Sequence, residues 1–419
     1  MLASYLRIAV RSLLRRRYFT AISLFGIALT LGVLLLAVAL LDHMQAPLPP
    51  ETRLGRTLHV SHVVMSGKVQ GGGTTYRSGT ATYGLVDRVC RDVPGVEAMS
   101  IVGDPVEATS FVGDEKVVSR LRRTDSAYWS ILEFRFIEGR PFSRQEDENG
   151  EFVAVIGRAT RRRLLGDQPA VGRQVEVGGA RYRVVGVVED VSPARYPAWA
   201  DVWVPHTTVS SPNYRTVTGG CSCMGLLLAR STADFPRIRA EVESRLRHLE
   251  LPEPLTEARA YPMTRLEQLA QSQSLGDSAG SRPPVHQAAL LWLSLAAGFL
   301  LLPTVNLVNL NLSRILERAP EIGVRKAFGA SSLDLVGQFV VENVLLCLVG
   351  GALGLALAVA VLEGVEASGV VPHARFDLNW RVFLHAAGLA VCFGALSGAL
   401  PAWRMSRLHP VTALRGGSR

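Results

Sequence analysis

The stretch Tyr18-Phe-Thr-Ala-Ile-Ser-Leu-Phe-Gly-Ile-Ala-Leu-Thr-Leu-Gly-Val-Leu-Leu-Leu-Ala-Val-Ala-Leu-Leu41 carries no charged side chain. A helix needs about 20 such residues to cross the hydrocarbon core of a bilayer, so residues 18–41 predict a membrane span. The pattern recurs at 288–312, 344–362 and 382–400, the last with His385 as its one titratable residue of note. Composition agrees. Of 419 residues, 48% are hydrophobic and only 19% charged, where a soluble domain carries about a quarter charged. The expected fold class is a membrane protein with four transmembrane α-helices and a large mixed α+β extracytoplasmic domain, residues 42–287, inserted between the first and second spans.

Cytoplasmic flanks of membrane spans retain Arg and Lys. Arg7, Arg11, Arg15, Arg16 and Arg17 precede the first block; Arg314, Arg318, Arg325 and Lys326 lie between the second and third; Arg404, Arg407, Arg415 and Arg419 follow the fourth. The loop 363–381 has only Arg375 and Arg381. Both termini of this multi-pass protein are therefore expected in the cytoplasm, with the segment 313–343 and the tail 401–419 on the same side. The domain 42–287 holds 30 Lys and Arg against 29 Asp and Glu, so nearly all of the net charge of +9 belongs to membrane flanks and short loops. A nucleic-acid surface would concentrate that excess on a folded domain. The partner implied is the lipid bilayer, and no nucleic acid is expected.

Leu6, Val10 and Leu14 recur with Arg7, Arg11 and Arg15 at helical spacing, which predicts an amphipathic helix over 1–17 on the inner membrane surface. Arg16-Arg17-Tyr18-Phe19 has some likeness to a twin-arginine signal, and Ala37-Val38-Ala39 to a cleavage site. The apolar run outlasts the roughly 7–15 residues of a signal core, so an uncleaved anchor is expected.

Within the outer domain, Val153-Ala-Val-Ile156 reads as an apolar strand and Thr160 to Leu165 as a short helix. Gln174 to Val177 and Tyr182 to Val188 read as strands paired around the turn dipeptide Gly178-Gly179. Asp234 to Leu251 has helical periodicity. Gly71-Gly72-Gly73 reads as a flexible loop, and residues 271–284, ending in Pro283-Pro284, as a stalk into the second span.

Catalytic chemistry finds little support. Lys68, Lys116 and Lys326 are the only lysines and none precedes Ser or Thr, so a P-loop cannot be written on this sequence. Gly276-Asp-Ser-Ala-Gly280 fits G-x-S-x-G but lacks the flanking strand and helix that expose such a serine, and reads as linker. No catalytic residue, resident cofactor or metal ligand is expected. Cys221-x-Cys223 is too close for the C-x-x-C zinc pair. A strained disulfide between them, a bridge from one of them to Cys90, and free thiols all stay open. His59 and His62 read as surface histidines, and Cys347 and Cys392 as small apolar fillers within spans.

The most informative stretch is Glu317-Arg-Ala-Pro-Glu-Ile-Gly-Val-Arg-Lys-Ala-Phe-Gly-Ala330. Pro320 suits the first turn of a helix, Glu321 its positive end, Arg325 and Lys326 its negative end, and Gly329 its termination. Ile322, Val324 and Phe328 supply apolar contacts. Ser331 with Asp334 then forms a capping-box pattern opening a helix through Gln338 and Glu342 into the third span. Such a helix between spans reads either as an inert amphipathic connector or as a docking element for a cytoplasmic partner, and the second is the expectation. Inside the spans, Gly350-x-x-x-Gly354 and Gly394-x-x-x-Gly398 allow close helix packing, and Asn306, Asn309 and Asn311 offer hydrogen bonds across helices. No ladder of charges crosses the bilayer centre, which argues against an ion channel or proton-coupled carrier.

Residues 317–330 resemble the coupling segment of the FtsX/MacB superfamily of ABC transporter permeases, through Glu317, Arg318, Glu321, Ile322, Gly323, Arg325, Lys326, Ala327, Gly329 and Ala330. Gln338-Phe339 with Glu342, Gly350-Gly351-x-x-Gly354, and the ending from Pro401 to Arg415 are similar to that family too. In the outer domain the segments Glu138-Gly-Arg-Pro-Phe-Ser143, Val153–Ile156, Ala170-Val-Gly-Arg173 and Arg183-Val-Val-Gly-Val187 resemble the MacB-like periplasmic core domain in order and spacing. Two departures stand out: Pro320 is unusual in the coupling segment, and the ATPase domain fused in MacB is absent. The resemblance implies a permease subunit, itself not an enzyme, that forms a homodimer or heterodimer and recruits a separate cytoplasmic ABC ATPase, which binds the ATP. A periplasmic adaptor and an outer-membrane channel are further partners of such assemblies. The coupling residues implied are Glu317, Arg318, Glu321, Ile322, Gly323, Arg325, Lys326, Phe328 and Gly329, carrying force to the outer domain by mechanotransmission. Two alternatives are a membrane-anchored signalling receptor or scaffold, and an FtsX-like regulator of cell-wall hydrolases.

Overall fold

The computed structural model describes residues 17–68, 73–166, 168–209, 211–272, 280–295 and 332–369, with isolated positions beyond. It divides into a helical unit and an outer domain spanning Met44–Ala289. Helix α1, Arg17–Gln45, opens the chain's described part and contains the whole of the expected first span.

The outer domain is built on one 13-stranded mixed sheet. Its first strands are β1 (Thr57–Val60), β2 (His62–Lys68), β3 (Thr74–Thr82) and β4 (Val96–Gly103), with α2 (Tyr83–Cys90) between the last two. Next come β5 (Val106–Val112), β6 (Glu115–Thr124), α3 (Tyr128–Ile131), β7 (Phe136–Gly139) and α4 (Arg144–Glu148). The chain continues through β8 (Val153–Gly157), α5 (Arg158–Leu165), β9 (Gln174–Val177), β10 (Ala180–Val188) and β11 (Val202–Pro205). It closes with β12 (Ser222–Ala229), α6 (Phe235–Arg247), β13 (Glu257–Ala260) and α7 (Arg265–Ser272). The ladder runs β13-β2-β3-β12-β4-β6-β11-β8-β10-β7, with β1 on β12, β5 on β6 and β9 on β10.

The order divides the domain into two halves that meet where β4 pairs β6. In the first half, α2 and α6 cover the sheet, and Leu85, Val89, Ile238 and Val242 pack with Leu58, Ile101 and Leu227, all buried. In the second, Ala154, Ile156, Val184 and Val204 form a core on one face of β8, β10 and β11. Tyr128, Val153 and Trp203 form another, which also takes in Val102, Leu226 and Leu228 of the first half. Strands buried on both faces read as continuous apolar runs, which is why Val153–Gly157 is buried at every residue.

Local chemistry fixes the turns. Gly178 and Gly179 adopt φ of 61° and 78°, the left-handed pair that a two-residue I′ hairpin demands, and β9 and β10 pair across them from Ala180↔Val177 outward. The family-like segment Glu138 to Ser143 is structural. Gly139 has φ +67°, and a Cβ there would run into the Val185 carbonyl. Phe142 is buried, and Ser143 caps α4 in a reciprocal box with Glu146. Thr82 caps α2 by accepting from the Leu85 N–H.

Several expectations shift. The helix read from Asp234 begins at Phe235, with Asp234 in a preceding 3-10 turn, and stops at Arg247. Gln271 and Ser272 end α7 rather than begin a stalk; Gly280 backs onto the Arg259 carbonyl, and 273–279 lie outside the described residues, as does most of the Gly71 to Gly73 loop. His59 is a correction. It is not a surface residue but 1% exposed, because β1 is covered on one edge by β12 and on the other by the bridge to Met263. Burial pushes its pKa down to about 3. His62, on β2, is half-buried and hydrogen-bonds Ser78 at 3.0 Å.

Beyond the outer domain, α8 covers Val285–Leu295 and α9 Ser332–Ser368. Among the described residues, two helical stretches are long and apolar enough to cross a membrane, Thr20–Leu40 and Val340–Ser368. The expected third span lies within α9; the greater part of the second, and the fourth apart from isolated positions, lie outside the described residues. On α1 a stripe at i, i+4, i+8 (Ile27, Leu31 and Leu35) is buried, while Ile22, Phe25 and Leu29 stay exposed, the partition of a helix facing a neighbour on one side and lipid on the rest.

Candidate functional site

The coupling residues Glu317, Arg318, Glu321, Ile322, Gly323, Arg325, Lys326, Phe328 and Gly329 lie outside the described residues, as do Gly394, Gly398 and residues 1–16. Gly350 and Gly354 are described, and both face α1. A Cβ on Gly350 would stand 2.6 Å from Ile27, and one on Gly354 2.7 Å from the Ala28 carbonyl oxygen and 2.9 Å from the Gly32 nitrogen. Leu35 and Ala358 continue the contact, with Ala39 and Leu355 beside them. Glycines remove the Cβ atoms that would hold two backbones apart, and in lipid such packing supplies much of the association energy. Gly32, which no sequence motif marks, is the other half of this crossing.

At the start of the outer domain, Arg195 and Glu51 form an ion pair at 3.2 Å with side chains only 5% and 3% exposed. Arg195 also donates to the carbonyl of Ala46. Burial raises the Glu51 pKa, opposed by the charges of Arg265 and Arg195. A buried pair of this kind fixes geometry more than it adds stability, but removing one partner strands the other.

The seam between the halves is unusual. Strands β4 and β6 share a single ladder pair, Val102↔Thr124, and side chains replace the missing backbone bonds. Arg122, on β6 and fully buried, donates to the carbonyls of Gly103 at 3.0 Å, Trp199 at 3.0 Å and Tyr196 at 2.7 Å. Its guanidinium also lies 5.3 Å from the Tyr196 ring centroid. Asp125 accepts from the Ser100 hydroxyl at 2.7 Å and the Ile101 N–H at 2.8 Å, and burial raises its pKa. His206, which opens the 3-10 turn His206–Thr208 after β11, hydrogen-bonds the Ile101 carbonyl through Nε2 at 3.1 Å.

The same seam carries the cysteine pair. Residues i and i+2 of a strand share a face, so Cys221, just before β12, and Cys223 within it bring their Sγ atoms to 3.1 Å. They are free thiols, as is Cys90, which sits in the first-half core; of the alternatives the sequence leaves open, the structure has free thiols. The ligand atoms of His206, Cys221 and Cys223 all lie within 4.8 Å of one another. The close contact between the two sulfurs lowers the pKa of Cys221 from the ordinary thiol range and raises that of Cys223. His206 Nδ1 has no hydrogen-bond partner although the residue is 1% exposed, an arrangement that costs about 1–3 kcal/mol. The C-x-C spacing gives no signal of a histidine arriving from another strand end, so this cluster is legible only in the fold.

Residues 20–245 match the MacB-like periplasmic core domain, and residues 293–410 match the FtsX-like permease C-terminal family. The macrolide export ATP-binding/permease protein MacB of Bdellovibrio bacteriovorus is 25% identical over 402 residues, covering 94% of this chain and 58% of that protein. A second protein of that description, MacB 1 of Yersinia pestis, is 30% identical over 319 residues, covering 72% of this chain and 44% of that one. The chain thus spans about half the length of these curated relatives. The periplasmic region of MacB from Actinobacillus actinomycetemcomitans aligns with a TM-score of 0.35 and 13% identity, over 53% of this chain and 94% of that structure. Since the first of these matches alone takes in more than half of the residues, the chain belongs to the family of ABC transporter permeases that carry a MacB-like periplasmic core domain.

Proposed function

We propose that the chain is a permease subunit whose work is driven by a separate cytoplasmic ATPase. The ATPase docks on the helix 321–329, with Glu317, Glu321, Arg325 and Lys326 bearing the load and Ile322 and Phe328 seating it. Rigid helices carry the motion to the outer domain, which moves its substrate on the periplasmic side of the membrane. Two permease subunits form the working pair. The relatives are named for macrolide export, and an amphiphilic compound taken up outside the cytoplasm is the substrate class that fits.

The observation carrying this reading is the order of parts along one chain: a core-domain match over 20–245, then an FtsX-like match over 293–410 that contains the charged segment 317–330. The backbone-to-backbone crossing at Gly32 and Gly354 supports it. It ties the helix that precedes the outer domain in sequence to the helix that follows the coupling segment.

Reversing two charges tests the idea. Arg325→Glu with Lys326→Glu, in chain that still reaches the membrane, should reduce co-purification of an ATP-binding protein and coupled ATP hydrolysis by an order of magnitude or more. Unchanged recruitment and hydrolysis would remove the coupling role from this segment.

A further inference from the structure

The cluster at the seam has the parts of a metal site that neither the family match nor the function above requires. The Ile101 carbonyl can only accept, so the hydrogen bond at 3.1 Å is donated by Nε2–H, and a neutral imidazole in that orientation carries its lone pair on Nδ1, the nitrogen with no hydrogen-bond partner. A carbonyl orienting the far nitrogen of a ligating imidazole is the usual second layer of a metal centre. Tyr83 meets the His206 ring edge-on at 5.0 Å and Tyr214 stacks parallel to it at 6.5 Å, which hold the ring in place and keep water from that side. Cys221 and Cys223 present their sulfurs 3.1 Å apart. Cys221 also lines a cleft of about 310 Å³, between the β2–β3 hairpin and residues 217–222, which gives an ion a way in.

We propose that Cys221, Cys223 and His206 form a three-coordinate site, two sulfurs and one nitrogen, for a soft, thiophilic cation with a filled d shell, copper(I), which clamps the two halves of the outer domain together. Two sulfurs select a soft ion. Among the described residues no fourth His, Cys, Asp or Glu joins the cluster, and copper(I) is content with three donors where structural zinc takes four. Binding displaces the protons left on the thiols to solvent, and no electron is transferred. The ion then links β12 of the first half to the end of β11 in the second, at the place where the β4–β6 ladder is reduced to one pair.

The full-length chain in detergent, reduced and kept anaerobic, is titrated with an acetonitrile complex of copper(I) against a chromogenic copper(I) chelator. One equivalent should bind, with a thiolate-to-copper band in the ultraviolet and an X-ray absorption signature of two sulfurs and one nitrogen, and the melting temperature should rise. Cys221→Ser, a change at a half-exposed position ahead of the strand, should weaken binding at least 100-fold while leaving the metal-free melting temperature alone. Cys223→Ser should do the same to binding. Uptake equal in the parent and in Cys221→Ser would overturn the proposal. So would zinc held in preference to copper(I), or a Cys221–Cys223 disulfide that persists under the reducing conditions.

Discussion

Gly32 and Gly354 meet backbone to backbone: a Cβ added to Gly354 would stand 2.9 Å from the Gly32 nitrogen, with the Ala28 carbonyl oxygen closer still at 2.7 Å. Neither neighbour is a side-chain end that can swing away. Gly354→Val should therefore push α1 and α9 apart, lowering the melting temperature of the detergent-solubilised chain by several degrees and abolishing coupled activity. Gly364 has open space around its Cβ position, so Gly364→Ala should leave both unchanged. Equal behaviour of the two variants would show that the crossing carries no load.

Arg122 is expected to be the most sensitive single position at the seam. Arg122→Met removes the donors to three carbonyls, and stranding buried acceptors costs about 1–3 kcal/mol each. A total loss of roughly 3–5 kcal/mol is expected, read by urea unfolding followed through tryptophan fluorescence. Arg122→Lys should recover little, since an ammonium lacks the planar fork that reaches three acceptors at once. Full recovery with lysine would mean that one of the three bonds carries the stability.

Glu146 sets an acid limit on the outer domain. Its bonds to Arg140, at 2.7 and 3.0 Å, hold its pKa down to about 2. A folded-state pKa below the unfolded value contributes stability that is complete above about pH 4.5 and is lost as the pH falls toward 2. Arg140 is more than half exposed, so solvent screening brings the contribution to about 2 kcal/mol. Glu146→Gln should lower stability at pH 7 and flatten the pH dependence between 4.5 and 2. An unaltered acid limb in that variant would place the linkage on another carboxyl.

Local patterns are legible where a local cause exists. Gly178-Gly179 announces a hairpin because only left-handed φ values fit its turn, and Tyr18 to Leu41 announces a long helix because nothing in it is charged. What escapes reading depends on partners remote in sequence. β1 pairs with β12 across Thr57↔Leu228, and no spacing reveals that His59 is enclosed as a result. His206 reaches Cys221 and Cys223 only because the end of β11 and the start of β12 come together at the same seam. Gly32 sits in an apolar run where one more small residue draws no notice until the opposing Gly354 backbone is seen against it. The motif from Glu138 to Ser143 stands out in the sequence by its likeness to a family, and its physical content is a left-handed glycine, a buried phenylalanine and a helix cap.

The near-absence of ladder bonds between β4 and β6 has a mechanical consequence. A ladder resists bending as a whole, through many equivalent bonds, whereas rivets fail or hold one at a time. With Arg122, Asp125 and His206 as the rivets, the compliance of this joint is adjustable by substitution at single positions, while the weave of strands on either side stays intact.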